Sequence, residues 1–393
     1  MEISTESVKV GHPDLVADII AANVIAAILD KEKKEKQGLN LANMPHCGLE
    51  VFLGKGICLV GGEVRTRVNV DIDKIARESV LELGYNHASV GLNGHSMGVL
   101  NAIIPQSPDI NQGTSCLLNK KGEIGAGDQG IMYGFACDDT PELLPMPYVL
   151  ANKLMRAFEY CQDPIFAPDG KGQVSVDYDL KTGKPVRVVK VLMSNAIDYR
   201  YVKGDRLKIR DKAKKIAFEA LKDCVDKKTE FLFNPTGEWN AINSCSAADS
   251  GVTGRKLVVQ CYGGFPGAQL GGGAVVNKTP EKVDCSAVFG SRYVAKNIVA
   301  AGLAKKCSVQ LAYAIGIARP FSVYVNTFGT GKLPDDRLEK IINKLFDLTP
   351  EGMITKFGLL RGDIYRKIPR TLFLDKYPWE KTDMIKALRQ EVK

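Results

Sequence analysis

The chain has 393 residues, of which 45% are hydrophobic and 25% charged, as is typical of a soluble globular protein of two or three domains. Its formal net charge of +8 is not gathered into an arginine-rich or aromatic-studded basic run, so we expect no nucleic-acid partner. The apolar run at 15–29 is too short to span a bilayer, and the polar N-terminus MEISTESVKV lacks the regions of a signal peptide. We therefore expect a cytoplasmic protein with no membrane partner.

Cysteine and histidine usage argues against a zinc site. Ten cysteines occur without a CxxC spacing, and the chain has only four histidines. This pattern fits neither a zinc motif nor a disulfide framework. We expect reduced and mostly buried cysteines.

The first predicted element is a helix that follows the motif GHPD at 11–14. Apolar residues recur with a helical period from Val16 to Leu29. Asp14 stands where a carboxylate caps a helix, so we expect it to cap this one.

The rest of the chain alternates between strand and helix patterns. Alternating apolar residues predict strands at Glu50–Val60, Val64–Val70, Gln173–Tyr178, Val186–Leu192, Ser308–Gly316 and Phe321–Thr327. Helical periods predict helices at Ile72–Leu83, Pro147–Tyr160, Asp205–Cys224, Val283–Leu303 and Leu338–Phe346. We interpret the glycines at 61–62 as the break between the first two strands. Long strands with helices collected elsewhere indicate α+β layers, whose sheets need a cover such as a partner subunit.

The stretch GGGAVVNKTPEKVDCS at 271–286 is the most informative one. Its glycines allow close backbone approach, Lys278 and Lys282 supply positive charge, and Asp284 is able to hold a divalent cation. These are the parts of a site for a magnesium-bound polyphosphate. Similar loops recur as GHPD, GAGDQG at 125–130, PDGK at 168–171 and DSGVTGRK at 249–256. We therefore expect one site assembled from several loops.

The loop GAGDQG also matches the glycine pattern of dinucleotide-binding proteins. That pattern requires a helix after it, whereas the residues that follow here, IMYGFAC, are strand-like. A plain turn and a ligand-contacting loop that carries Asp128 both stay open, and we favour the second. No GxxxxGKS or GxxxxGKT motif occurs, which excludes a P-loop enzyme.

For Arg255, Lys256 and His12, a structural and a functional interpretation both stay open. Arg255 and Lys256 precede a predicted strand, KLVVQCY, and are either phosphate contacts or surface charges. His12 is either structural or, with Asp14 two residues on, functional.

Three polar segments are equally open. Asp169 and Lys171 form either a turn pair or a ligand contact. Gln106 and Asp109 lie in a segment dense with turn formers and are either a plain polar loop or part of a site. The Gly-, Ser- and Asn-rich segment Val90–Asn101 is a candidate for a mobile loop.

Taken together, the motifs stand in the order of one known family. They are GHPD, GGE at 61–63, QSPDINQG at 106–113, GAGDQG, NPTG at 234–237, DSGVTGRK, KVD at 282–284 and RYVAKNIVAAGLA at 292–304. On these motifs the chain closely resembles the S-adenosylmethionine synthetases, or methionine adenosyltransferases, from Thr5 to PWEKTD at 378–383. The resemblance implies an enzyme that forms S-adenosylmethionine from ATP and L-methionine by attack of the thioether sulfur on ribose C5′. It also implies hydrolysis of the tripolyphosphate to phosphate and diphosphate.

The resemblance implies a fold and an assembly as well. We expect an α+β protein of three similar α/β domains about a pseudo-threefold axis, with domains at 1–103, 122–241 and 242–383. Sheets would pack face to face across a homodimer interface, active sites would be shared between subunits, and dimers would pair into homotetramers. The implied cofactors are two Mg²⁺ ions per site and K⁺.

Carried over by the resemblance, the site residues fall into three sets. The ATP and phosphate contacts are His12, Asp128, Asp169, Lys171, Trp239, Asp249, Arg255, Lys256, Lys278, Lys282 and Ile315. The catalytic members are His12, Lys171, Arg255 and Lys278, and the adenine ring would stack on Trp239. The methionine contacts are Glu63, Gln106, Asp128, Asp249 and Lys282. The metal ligands are Asp14 and Asp284 for Mg²⁺ and Glu50 for K⁺.

The chain departs from the family pattern at several positions. Leu15 replaces a cation, Val276 a hydroxyl, Thr279 an aspartate, Cys285 an arginine and Gln260 an acid. Because the central cations and both magnesium carboxylates are kept, we expect catalysis that is slower but not abolished. The alternatives are a regulatory homologue without activity and an active relative that uses another nucleotide or thioether.

Overall fold

The computed structural model describes residues 1–35, 38–106, 123–203 and 207–392. It consists of three small sheets with helices packed on them. The strands are β1 (Glu2–Val8), β2 (His46–Gly54), β3 (Ile57–Arg65), β4 (Gly98–Pro105), β5 (Gly130–Cys137), β6 (Phe166–Tyr178), β7 (Pro185–Ile197), β8 (Glu230–Phe233), β9 (Gly251–Val252), β10 (Lys306–Tyr313) and β11 (Ser322–Asn326). The helices are α1 (Pro13–Glu35), α2 (Ile72–Glu82), α3 (Met146–Tyr160), α4 (Leu207–Ala220), α5 (Leu257–Cys261), α6 (Val283–Ala300), α7 (Asp335–Leu345), α8 (Pro350–Phe357), α9 (Gly362–Tyr365) and α10 (Ile385–Glu391).

The three sheets exchange strands in a cycle. Their strand orders are β1-β6-β7-β8, β4-β3-β2-β9 and β11-β10-β5. The N-terminal part of the chain lends β1 to the central sheet, the central part lends β5 to the C-terminal sheet, and the C-terminal part lends β9 to the N-terminal sheet. The expected three-unit α+β architecture is thus confirmed. The boundaries at 1–103, 122–241 and 242–383 stay predictions.

Helices α1 and α6 lie at the centre of the core. Helix α1 is buried on almost every side from Pro13 to Leu29 and packs on β2, β9 and α2. Helix α6 is buried from Val283 to Val299 and packs on β5 and β10. A helix that is buried on all sides lies within a core. Because both helices are buried, the positions of the acids in their first turns, Asp14 and Asp284, are fixed.

Most predicted elements are confirmed, although β6 begins seven residues before the predicted strand and β7 ends five residues after it. The β6–β7 hairpin, the helices α2, α3, α4, α6 and α7, and the strands β10 and β11 all lie where the patterns predict them. Strand β5 begins at Gly130, the last residue of GAGDQG, so that loop leads into a strand and lacks the helix of a dinucleotide fold.

The predicted break between the first two strands is wrong. The strands β2 and β3 turn at Gly56, which has a φ of +72°, so neither Glu50–Val60 nor Val64–Val70 is a strand as predicted. Gly62 lies inside β3 instead. A Cβ there would stand 2.1 Å from the carbonyl oxygen of Gly48 on β2, so this glycine marks a close strand approach rather than a turn.

Two other predictions need correction, and strand β1 was not predicted. The segment Leu257–Cys261 is a short helix, since an apolar run this short has no distinguishing period. The candidate mobile loop Val90–Asn101 ends in strand, because β4 begins at Gly98 and pairs in parallel with β3. Strand β1 went unpredicted, since its pattern EISTESV carries few apolar residues.

All nine described cysteines are free and seven of them are buried, in line with the sequence. In the part of the chain that the structure describes, no helix is long and apolar enough to cross a membrane.

The contact between β5 and α6 offers a test of the core. A Cβ on Gly134 would lie 2.1 Å from the carbonyl carbon of Ser291 and 2.2 Å from the amide nitrogen of Arg292. We predict that Gly134→Ala lowers the free energy of unfolding by about 1–3 kcal/mol or more, because backbone atoms of α6 have to move. The matched control is Gly272→Ala, since a Cβ there meets nothing within 4 Å. Equal melting temperatures for both variants in thermal denaturation would contradict this packing.

Candidate active site

The first group of predicted site residues gathers at the start of α1. We call it the Asp14 cluster, and its members are His12, Asp14, Lys171, Arg255 and Lys256. Asp14 Oδ2 accepts a hydrogen bond from Lys256 Nζ at 2.7 Å, and Arg255 Nε lies 3.7 Å from Oδ1. Asp14 Oδ1 also accepts from the backbone N–H of Val252 at 2.9 Å. The expectation that Asp14 caps α1 is therefore wrong, because its carboxylate faces β9 and Lys256.

His12 takes the place beside the first turn of α1. Its Nδ1 accepts the backbone N–H of Asp14 at 3.3 Å, so the ring proton belongs on Nε2. Burial, followed by the charge of Lys256, lowers the pKa of His12 to about 4. The imidazole is therefore neutral at pH 7 and presents an N–H donor.

Asp18 holds the loop that carries the two basic residues of the cluster. It lies four residues after Asp14 on α1 and is buried. Its Oδ1 accepts from the backbone N–H of Gly254 at 2.9 Å, and its Oδ2 accepts from Gln260 Nε2 at 2.8 Å. Burial raises the pKa of Asp18 to about 7. The Gln260 amide, which stands where the family has an acid, is thus a partner for this carboxyl group.

Sequence reasoning missed Asp18, although a signal was present. An acid within an apolar helix, four residues after another site acid, lies on the same helix face.

The motif PDGK at 168–171 lies inside β6, so the turn interpretation of Asp169 and Lys171 is wrong. Lys171 stands opposite Val8 of β1, and its Nζ lies 2.9 Å from the Glu6 carboxylate. Asp169 is buried, and its Oδ2 accepts from the backbone N–H of Cys245 at 2.7 Å. Lys171 is therefore the member of this segment that a ligand is able to reach.

The second group of predicted site residues gathers at the start of α6. We call it the Asp284 cluster, and its members are Glu63, Asp128, Lys278, Lys282 and Asp284. Lys278 Nζ lies 2.5 Å from Asp284 Oδ2, and Lys282 Nζ lies 2.8 Å from Glu63 Oε1. Burial lowers the pKa of Lys282, but Glu63 and other acids, including Asp128, leave it raised overall.

A glycine loop packs directly on the Asp284 carboxylate. A Cβ on Gly273 would lie 2.2 Å from Asp284 Cγ, and one on Gly130 would lie 3.6 Å from Asp284 Oδ1. Larger side chains at these positions would displace the carboxylate or fill the space around it. Gly273 of GGGAVVN therefore allows the backbone to approach the Asp284 carboxylate closely.

Glu50, the predicted potassium ligand, lies on β2 between segments of both clusters. Its Oε2 accepts from the Thr253 hydroxyl, which precedes Arg255, and its Oε1 accepts from Asn277 Nδ2 at 3.1 Å. Asn277 Oδ1 is buried and has no hydrogen-bond partner among the described residues. A carboxylate and a free carbonyl oxygen thus lie on adjacent side chains.

Two predicted residues lie beside the clusters. Asp249 is exposed and close enough to His12 to raise the pKa of that imidazole. The backbone N–H of Gln106 donates to Val64 O at 3.3 Å, one residue from Glu63.

The two predicted adenine contacts lie in other elements. Trp239 is half-buried and packs against the core, and its Nε1 donates to Asn243 O at 2.8 Å. Ile315 follows β10 and is 48% exposed. Neither belongs to a cluster. Asp109 lies outside the described residues.

Four of the departures from the family pattern lie in the core. Leu15 packs with Val8 and Val259. Val276 and Cys285 are buried, and the Thr279 hydroxyl donates to a Glu281 oxygen at 2.9 Å. The replacements at Leu15, Thr279 and Cys285 thus put uncharged side chains at buried positions where the family pattern has charged ones.

The two clusters are separate units of the chain. Within the ranges that the structure describes, no hydrogen bond or ion pair joins a member of the Asp14 cluster to a member of the Asp284 cluster. The Asp14 cluster holds one carboxylate with two lysines, an arginine and a histidine, and the Asp284 cluster holds three carboxylates with two lysines.

Comparison with known proteins identifies the family. Models of the N-terminal, central and C-terminal domains of S-adenosylmethionine synthetase match residues 1–108, 123–239 and 244–381. The S-adenosylmethionine synthase of Synechococcus sp. (strain JA-2-3B'a(2-13)) is 38% identical over 419 aligned residues, which cover 99% of this chain and 97% of that protein. The fold and these matches define a three-domain transferase. The chain belongs to the S-adenosylmethionine synthetase family, and its activity is that of a methionine adenosyltransferase.

Because Asp18 accepts hydrogen bonds from Gly254 and Gln260, we expect the enzyme's activity to depend on this residue. We predict that Asp18→Ala lowers kcat/KM for ATP by roughly tenfold or more, because Gly254 and Gln260 lose the group that fixes Arg255 and Lys256. Asp18→Asn keeps one acceptor and should lose less. The control is Asp30→Ala on the same helix, which removes only an exposed ion pair with Arg366. Equal steady-state kinetics for Asp18→Ala and the control would refute the role.

Proposed function

We propose that this chain forms S-adenosylmethionine in one displacement and then hydrolyses the tripolyphosphate to phosphate and diphosphate. The thioether sulfur of methionine donates a lone pair to ribose C5′ of ATP, and the C5′–O bond breaks. The electron pair of that bond leaves with tripolyphosphate, and sulfur becomes a sulfonium. The observation that carries the proposal is the pair of clusters, in each of which a carboxylate is paired with a lysine at the start of a buried helix.

The chemistry asks for charge stabilisation rather than proton removal. A thioether sulfur carries no proton, so no general base is required. The demanding part is the departure of a highly charged triphosphate. Oriented cations that are already fixed in place lower the energy of such a transition state.

The ion pairs within the clusters suit an exchange of partners. In the described structure Lys256 neutralises Asp14 and Lys278 neutralises Asp284. A magnesium–triphosphate complex offers a cation to each carboxylate and oxygens to each lysine. Because every charge keeps a partner after the exchange, binding leaves no buried charge unpaired.

His12 has a defined part in this scheme. Its Nδ1 is engaged by the backbone of Asp14, so Nε2–H is the group that donates to the leaving oxygen. Lys171, Arg255 and Lys278 then hold the phosphate oxygens by charge-assisted hydrogen bonds.

The carboxylates fit magnesium as the cofactor. Among the described residues no three His, Cys, Asp or Glu side chains come close enough to cage a metal ion. Mg²⁺ is usually bound through one or two carboxylates together with phosphate oxygens of the substrate. We assign two Mg²⁺ ions to Asp14 and Asp284, where the bound metal would neutralise charge on the triphosphate.

Potassium is proposed at Glu50. The buried Asn277 Oδ1, which has no hydrogen-bond partner in the described part of the chain, lies on the side chain that donates to Glu50. An unpartnered carbonyl oxygen beside a carboxylate is suited to a monovalent cation.

A second copy of the chain is proposed to complete the site. On the solvent-facing side of the N-terminal sheet, Phe52, Leu59 and Leu100 lie side by side across three strands and are 36–50% exposed. Glu50 and Glu63 lie in the next rows of the same face. Covering this apolar face with the same face of a partner would bring a second set of clusters to these acids. The pairing of dimers into tetramers stays an implication of the resemblance.

The direct test is an assay with ATP, methionine and Mg²⁺ in which S-adenosylmethionine and phosphate are measured. We predict that Lys171→Ala and Lys278→Ala each lower product formation by roughly tenfold or more, because each removes a cation from the phosphate site. Both variants should fold as judged by circular dichroism. Lys340→Ala, in the exposed ion pair with Asp336, is the control.

Absence of product from the parent protein would refute the proposed function. Near-normal turnover in both lysine variants would refute the assigned roles. Turnover with another triphosphate or thioether, but not with ATP and methionine, would favour the alternative substrate.

A further inference from the structure

Lys9 is a buried lysine that neither the motifs nor the resemblance singles out. It follows β1 and is 3% exposed. Its Nζ donates to Ala167 O at 2.7 Å and to Asn195 Oδ1 at 3.1 Å. Both partners are neutral carbonyl groups. A buried ammonium group is costly unless an anion nearby compensates its charge.

The compensating acids lie on α3 and β6. Burial lowers the pKa of Lys9 to about 8, while Glu159 and Asp169 act in the opposite direction. Burial likewise raises the pKa of Asp169 to about 6, and Lys9 is the cation that works against this rise. Lys9 and Asp169 are therefore coupled by charge in a buried place.

The backbone between Asp169 and Lys171 rests on Lys9. The amide of Lys9 donates to Gly170 O at 2.9 Å. A Cβ on Gly170 would lie 2.8 Å from Lys9 Cδ and 3.1 Å from Asn195 Oδ1. The lysine stem thus fills the space beneath this segment, and only a glycine fits above it.

Asp169 also holds a second loop in place. Its Oδ2 accepts the backbone N–H of Cys245 at 2.7 Å. The N–H of Asp249 in turn donates to Cys245 O at 3.0 Å. The turn that ends at Asp249, beside His12, is therefore tied to Asp169.

We propose that Lys9 is a positioning residue for the transferase reaction. Its ammonium group lies beneath the Pro168–Lys171 segment and places positive charge next to Asp169. It thereby fixes both Lys171 and the Cys245–Asp249 turn against the triphosphate and nucleoside. The proposal goes beyond the site residues of the proposed function and rests on that function for its readout.

The test compares Lys9→Met with the parent protein in a full pH profile of kcat and KM. Among the described residues, the titratable groups that interact with Asp169 are Lys9, Tyr85, Cys245 and Asp249, of which Lys9 is the cation. Asp169 carries its charge above its pKa, so the parent should lose kcat/KM for ATP as the pH falls through about 6. Without Lys9 the pKa of Asp169 rises, so we predict that this acid limb moves to higher pH.

At pH 6.5 we expect KM for ATP to rise by roughly fivefold or more in Lys9→Met, with a smaller change at pH 9. The matched control is Lys190→Met, which removes an exposed lysine that pairs with Glu2 on the same sheet. An unchanged acid limb together with an unchanged KM for ATP would overturn the proposal.

A second variant covers the case in which Lys9→Met does not fold. Asp169→Asn removes the other charge with little change of shape, and it should remove the step of the acid limb near pH 6 while leaving any step that Asp18 contributes near pH 7. Persistence of the step near pH 6 in Asp169→Asn would also overturn the proposal. The parent assay for S-adenosylmethionine stands apart from both variants, so a failure of the proposed function is recognised separately.

Discussion

The site depends on two carboxylate–lysine ion pairs at the first turns of two buried helices. Asp14 with Lys256, and Asp284 with Lys278, keep opposite charges in contact where little water reaches them. Such pairs contribute little net stability by themselves, but removing one partner is costly. A ligand that supplies both a metal cation and phosphate oxygens satisfies all four groups at once. This constraint is the reason why we propose a metal–polyphosphate rather than a neutral or singly charged ligand.

The fold holds these pairs in place through its exchanged strands. Strand β9, borrowed by the N-terminal sheet, carries the Val252 amide that binds Asp14, and β5, borrowed by the C-terminal sheet, begins beside Asp284. Strand β1, borrowed by the central sheet, ends at Val8, next to Lys9 in the chain, and Val8 pairs with Lys171. Each exchange therefore brings a segment from one unit to the cluster of another. Because each cluster combines residues from more than one unit of the chain, no single unit contains all of the site residues.

The local parts of this site could be predicted from the sequence, and its tertiary parts could not. Glycines next to Lys278 and Asp284 are a local signal, and the structure does place such a loop against Asp284. The role of Gly62 was misread, since close strand approach and a turn both require glycine. Asp18 and Lys9 escaped notice because burial depends on contacts more than 150 residues away in the sequence. The assignment of residues to two clusters likewise follows from pairing between strands, which no local pattern encodes.

The central proposal is that one active site takes its two clusters from different protomers. Subunit complementation tests this proposal directly. Lys256→Ala and Lys278→Ala protomers are mixed, reassociated and assayed for S-adenosylmethionine. We predict that the mixture recovers about a quarter of the parent rate, because half of the dimers are mixed and one of their two sites is intact. A mixture of Lys171→Ala and Lys256→Ala, both from the Asp14 cluster, should recover nothing. No recovery in the first mixture would contradict the account.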